Sequence, residues 1–141
     1  MKKRMLKTVA ASLSILSIAT ATIVPASAAN DNIQPRGNYY VYGDVDNDGQ
    51  IDIQDANIVL SAVSKFTSLT GDENLPTSYA IARPSVYFPN IDNPVPQTAD
   101  VNGDRFINQA DAEDILSYYA KKAAGVLDQY NGRCGTPFYV G

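Results

Sequence analysis

The sequence predicts a small all-α domain built from two copies of a loop followed by a helix, and three observations carry that prediction. Apolar residues recur at spacings of three and four in two stretches: Ala56, Val59, Leu60 and Val63 within Asp55–Lys65, and Ala112, Ile115, Leu116 and Tyr119 within Asp111–Ala124. That period belongs to a helix with one buried face. A shift of 56 residues, from Asp44 to Asp100, then lays the second stretch on the first, with Ile107 on Ile51, Ala112 on Ala56, Leu116 on Leu60, Ser117 on Ser61 and Lys121 on Lys65. A unit has been duplicated as a whole. Finally, an extended run at Tyr39–Gly43 precedes the first unit, and Pro94 and Pro96 precede the second, so no regular helix enters either loop.

At the N-terminus, Lys2, Lys3, Arg4 and Lys7 precede an apolar stretch from about Val9 to Val24 that closes in Pro25-Ala26-Ser27-Ala28-Ala29. This order of charge, apolar run and small residues predicts a secretory signal over 1–28, cleaved after Ala28. A retained membrane helix is the alternative, but the stretch is short and rich in Ser and Thr. Cleavage leaves 113 residues (141 minus 28), enough for one small domain and too few for a catalytic module plus a binding module. The 11 basic residues fall to seven while all 15 acids stay, so the mature chain carries a net charge of −8. Such a chain suits neither nucleic acid nor an anionic membrane. With no His and one Cys, zinc sites, haem sites and disulfide frameworks have no support.

Residues 29–38 read as a polar tail, and 39–141 as the folded domain. Tyr39-Tyr40-Val41-Tyr42 opens that domain and Pro137-Phe138-Tyr139-Val140 closes it. The favoured reading is that these two aromatic runs pair and clamp the termini, with a partner-binding patch or plain core as alternatives.

The first loop follows at Asp44–Asp55. Counting Asp44 as position 1, Asp44, Asp46, Asp48, Asp52 and Asp55 stand at positions 1, 3, 5, 9 and 12, with Gly49 at position 6. This is the oxygen-ligand spacing of an EF-hand calcium loop, in which side chains alternate inward and the chain turns sharply at position 6. The main-chain carbonyl of Gln50 would supply the ligand at position 7. Five carboxylates this close repel one another unless a cation joins them. In the second loop the same positions are Asp100, Asn102, Asp104, Phe106 (through its carbonyl), Asn108 and Asp111. Three carboxylates replace five, and Arg105 stands at position 6, where a left-handed backbone costs an L-residue about 1–2 kcal/mol. Two Ca²⁺ sites are therefore expected, the first tighter than the second.

Between the repeats, at 43–65 and 99–125, runs a spacer over 66–98 that holds Pro76, Pro84, Pro89, Pro94 and Pro96. It reads as irregular, with one short helical piece around Thr77–Ala82, and Leu75-Pro76-Thr77 within it as ordinary loop. The second helix ends near Lys121, Lys122 and Gly125, a normal stop, and leaves a C-terminal tail over 126–141. Cys134 in that tail reads as an inert or partly buried thiol, with an intermolecular disulfide as the alternative.

The tandem of loop and exiting helix, carried by Gly43-Asp44-Val45-Asp46-Asn47-Asp48-Gly49-Gln50-Ile51-Asp52 and Ala99-Asp100-Val101-Asn102-Gly103-Asp104-Arg105-Phe106-Ile107-Asn108, resembles the type I dockerin. Asp rather than Glu at position 12 belongs to the same resemblance. It implies a calcium-folded domain by which a secreted protein plugs into a cohesin domain of a cellulosome-type scaffoldin. Carried over by position, the implied partner contacts are Ile53, Gln54, Leu60, Ser61 and Lys65 in the first unit, and Gln109, Ala110, Leu116, Ser117 and Lys121 in the second. The helix contacts match between units while Ile53 and Gln109 differ, which favours one binding orientation over two. Leu60 and Leu116 have a core role as their alternative. Arg105 at position 6 and the long spacer depart from the family pattern.

The expected function is thus that of a secreted, calcium-dependent docking module, a monomer when alone, held outside the cell or at its surface through a scaffoldin. A small extracellular calcium-binding protein with an unrelated partner shares all the metal chemistry and differs only in that partner. A carbohydrate activity is the third reading. It would need a pair of carboxylates in a cleft, and no catalytic residue is assigned, because the acids outside the loops fall on tails, spacer and helix surfaces.

Overall fold

The computed structural model describes residues 39–140, so the expected signal over 1–28 and tail over 29–38 lie outside the described residues. Two long helices form its frame: α1, Ile53–Thr70, and, as the fourth helix in chain order, α4, Gln109–Ala123. They pack against each other, burying Ala56, Val59, Ala62, Val63 and Phe66 from one and Ala112 and Ile115 from the other. Both helices begin two residues before the apolar period predicts, because Asp52 and Asn108 serve as N-caps and accept the N–H of Gln54 and Ala110. An N-cap carboxylate or amide satisfies a donor that the first turn leaves unpaired. Asp55 and Asp111, three residues on, each take the N–H of the cap residue and complete a capping box.

The first helix also runs five residues beyond Lys65, into what reads in sequence as spacer. The hydroxyls of Thr67 and Thr70 donate back to the carbonyls of Val63 and Phe66 at 2.9 Å, so polar residues end the helix without interrupting it. Gly71, at φ 80°, closes it by donating to the Thr67 carbonyl.

The two terminal aromatic runs pair, as expected. Strand β1, Tyr39–Val41, lies antiparallel to the fourth strand, β4, Pro137–Tyr139, with Tyr40 opposite Phe138. Tyr42 stacks on Phe138 at 4.3 Å and Tyr39 meets Tyr139 edge-on at 5.2 Å. A second antiparallel pair joins the spacer to the second loop: β2, Leu75–Pro76, sets Leu75 opposite Ile107 of β3, Phe106–Ile107. Both of those side chains are fully buried. Among the described residues the fold is therefore mainly helical, as expected, with two small antiparallel sheets added, so it is not plainly all-α. The cause is that buried backbone at the loop edge needs hydrogen-bond partners, and an extended neighbour supplies them.

Leu75-Pro76-Thr77 is accordingly not ordinary loop but strand and helix start. Helix α2 spans Thr77–Ala82, as expected, and a turn of helix, α3, Pro84–Tyr87, follows with Pro84 at its first position. Phe66, Tyr79 and Tyr87 meet with ring centres about 6 Å apart, and this aromatic cluster fixes the spacer to α1. A 3₁₀ turn at Pro96–Ala99 then delivers the chain to the second loop. No helix among the described residues is long and apolar enough to cross a membrane.

The C-terminal segment closes the domain. Cys134 is a buried free thiol, and burial pushes its pKa up to about 12, which agrees with an inert role. It lies against Gly43, where a Cβ would come within 3.0 Å of the sulfur and where φ is 93°. Only glycine fits both demands.

Replacing Phe138 with Ala removes the stack on Tyr42 and the cross-strand pair with Tyr40, and is expected to cost about 2 kcal/mol. Urea unfolding in calcium measures it, and an unchanged midpoint would show that the terminal clamp contributes nothing.

Candidate metal centre

The first loop gathers its carboxylates. Asp44, Asp46 and Asp48 each bring an oxygen within 4.8 Å of the other two, and this group could hold a metal ion. Its shape comes from the backbone. Asp44 accepts the N–H groups of Asp48 and Gly49 at 3.1 Å, Asp46 accepts that of Asp48 at 3.2 Å, and Asp48 accepts that of Gln50 at 2.8 Å. Each Asp thus bends the chain forward over itself, and the first three side chains face one point.

The second loop repeats the design with weaker chemistry. Asp100 accepts the N–H groups of Gly103 and Arg105, Asn102 that of Asp104, and Asp104 that of Phe106. Here the Asn102 amide also donates to Asp104 at 3.2 Å, so one member of the set supplies hydrogens where its counterpart supplies charge. The spacer braces this loop as well. Thr77 donates its hydroxyl to Asp100 at 3.1 Å and its N–H to the Arg105 carbonyl, and Asn108 donates to Asn74. Neither Thr77 nor Asn74 has a sequence signal, since each meets its partner only through the fold.

The closing residues, Asp55 and Asp111, are buried at the base of the loops. Asp55 accepts the N–H of Val45 at 2.7 Å and of Asp52 at 2.8 Å, and Asp111 those of Val101 at 3.0 Å and Asn108 at 2.9 Å. An ionised carboxylate has about four lone-pair sites, so oxygens held this way keep capacity for a cation. Asp52 and Asn108 are drawn instead to the helix N-termini, which leaves position 9 the weakest candidate of the set. Gln50 and Phe106 are exposed.

Both loops need a left-handed backbone at two places, not one. Position 4 is Asn47 at φ 60° and Gly103 at φ 75°; position 6 is Gly49 at φ 88° and Arg105 at φ 75°. Each loop has one glycine, but at opposite positions. Asn tolerates this conformation far better than Arg, so the second loop carries the greater strain.

The expected partner contacts divide. Ile53, Gln54, Leu60, Ser61 and Lys65 are exposed on α1, and Gln109, Ala110 and Leu116 are exposed on α4, while Ser117 and Lys121 are half-buried. Leu60 at 41% and Leu116 at 39% exposure are surface residues, so the core alternative fails for both. Gln109 donates to Glu113 at 2.7 Å, whereas its counterpart Ile53 stands half-exposed and apolar. No protein-family model, curated protein or solved structure matches the chain.

The electrostatics mark the same places. Burial, then the charges of Asp48 and Asp46, raise Asp44 to about 7 against the pull of the backbone N–H groups. Burial likewise raises Asp55 to about 7 and Asp111 to about 6. The metal-free fold therefore binds protons more tightly than the unfolded chain. Its stability is greatest below the ordinary carboxylate pKa and falls as the pH rises through about 6 to 7. A divalent cation competes with those protons, so its stabilising effect grows over the same interval. Thermal unfolding with chelator and with calcium at several pH values should give two opposed slopes. A chelated chain equally stable from acid to neutral pH would contradict the assignment.

Arg105→Gly should stabilise the calcium-loaded chain by about 1 kcal/mol, the relieved strain less the backbone entropy that glycine adds. Arg105 is exposed, so little contact is lost with its side chain. Chemical denaturation in saturating calcium measures the gain, and a loss of stability would show that the side chain has a role of its own.

Proposed function

We propose that this chain is a secreted docking module that folds around Ca²⁺ and binds a cohesin domain of a scaffoldin in a polysaccharide-degrading complex. The observation that supports this reading most is the convergence of Asp44, Asp46 and Asp48 on one point, repeated in outline by Asp100, Asn102 and Asp104. Three carboxylates this close are mutually repulsive alone and become mutually supporting around a divalent cation. An all-oxygen set in a flexible loop suits Ca²⁺, whereas zinc and copper prefer nitrogen and sulfur.

Two sites follow from the two loops, and the first is the tighter. It has five carboxylates against three, a glycine rather than an arginine at position 6, and no amide donor among its first three ligands. Metal binding energy is folding energy where the ligands repel without it. The partner surface is the outward side of the helices that the loops launch, with Leu60, Ser61 and Lys65 exposed on α1. The module works as a monomer outside the cell or at its surface, and we assign it no catalytic residue.

Calcium titration by calorimetry should resolve two affinities at least about tenfold apart, a difference of about 1.4 kcal/mol. Asp48→Ala should abolish the tighter one and spare the other. Circular dichroism at neutral pH should show much of the helicity lost on chelation, and helicity unchanged by chelation there would sink the proposal. A cohesin column should retain the chain in calcium and release it with chelator.

A further inference from the structure

We infer that the module offers its partner a single face, that of α1, because its own C-terminal segment occupies the matching face of α4. The inference rests on the docking reading above and decides which half of the duplicated surface is used. In sequence the halves are equal: Leu60, Ser61 and Lys65 recur as Leu116, Ser117 and Lys121. In the fold they are not.

After α4 the chain turns back at Gly125, φ 71°, and Leu127–Gln129 packs against the helix it has just left. Lys121 donates its ammonium to the Gln129 carbonyl at 3.0 Å and lies 5.7 Å from the centre of the Tyr130 ring. That ring meets Tyr118 edge-on at 5.2 Å, and its hydroxyl donates to Asp114 at 2.9 Å. The Cys134 N–H then donates to the same hydroxyl oxygen at 3.2 Å, which holds the segment down. The consequence is that Lys121 is half-buried where Lys65 is exposed, and Ser117 beside it is likewise half-buried where Ser61 is exposed. Leu116 stays exposed, so the segment takes the lysine out of the set and leaves the leucine.

Among the described residues nothing comparable covers α1. Asn57, Leu60, Ser61, Ser64, Lys65 and Ser68 line a shallow groove along its outer side. The groove offers an apolar contact at Leu60, a row of hydroxyls, and an ammonium on a chain whose net charge is negative. The partner surface that fits is an apolar socket with a carboxylate beside it, placed to meet Lys65.

Lysine acylation followed by mass spectrometry tests this on the full chain in calcium. Lys65 is expected to react several-fold faster than Lys121. In Tyr130→Ala the Lys121 rate should rise to that of Lys65. Tyr130→Phe, which keeps the ring and drops the hydroxyl's bonds to Asp114 and from the Cys134 N–H, should give an intermediate rate, and it is the deciding variant if the alanine one loses helicity. Excess of a purified cohesin domain should protect Lys65 and leave the Lys121 rate where it was. Equal rates in the free chain, or protection of Lys121, overturn the inference. If no cohesin domain protects Lys65 while the free-chain difference persists, the docking reading falls and the covered face of α4 stands.

Discussion

Two buried carboxylates, Asp55 and Asp111, hold each loop to the helix that follows, and most of the fold is arranged around those ties. Each accepts an N–H from the second residue of its loop and another from the helix N-cap, so the loop closes on itself through one side chain. The same group also completes the capping box at the third position of the helix. The ties also fix where the apolar neighbours go. Val45 and Ile51 from the first loop, and Val101 and Ile107 from the second, are buried around the joint. A polar bond inside an apolar shell is strong and costly to break, since each unpaired group would be left in a poor solvent.

The first three ligand positions obey the opposite logic. In the first loop, Asp44 is buried while Asp46 and Asp48 are increasingly exposed, all three carry like charge, and the forward bends of the chain hold them together. Geometry there resists electrostatics, and Asp44, whose pKa is raised by burial first and by the charges of Asp48 and Asp46 after it, sits where the two meet. The second loop lowers the tension by other means. It has fewer charges, an amide among its carboxylates, and a hydroxyl from Thr77 on Asp100. The spacer that supplies Thr77 therefore braces a loop whose counterpart has no such hydroxyl among the described residues.

The repeat, the loop register and the terminal clamp could be read from sequence because each is a local pattern or a direct self-comparison. Asp44, Asp46 and Asp48 come together as spacing alone predicts, and Arg105 does sit in the left-handed region. The helices start two residues earlier than the apolar period predicts for a physical reason: Asp52 and Asn108 cap them with one side-chain oxygen each, and capping leaves no apolar mark. The extension of α1 was hidden by polar residues whose hydroxyls bond to their own helix, although Gly71 marked its end. The pairing of β2 with β3 had no local sign at all. Leu75 and Ile107 are far apart in the chain and meet only in the folded domain.

Closing the termini and covering one repeat are the same event. After Gly125 the chain has to return to β1, and the route from the end of α4 crosses the outer side of that helix. Along it, Tyr130 bonds to Asp114, the guanidinium of Arg133 stacks on Tyr42 at 3.9 Å and rests against Gly103, and Cys134 fills the space beside Gly43. The segment thus touches the second loop and the entrance of the first within a few residues. The first repeat escapes such a crossing because its following segment departs into the spacer, towards the aromatic cluster of Phe66, Tyr79 and Tyr87. A duplicated sequence joined in one chain cannot give both copies the same neighbours. What breaks the symmetry here is chain connectivity, which acts on Lys121 and Lys65 alike in composition and differently in space.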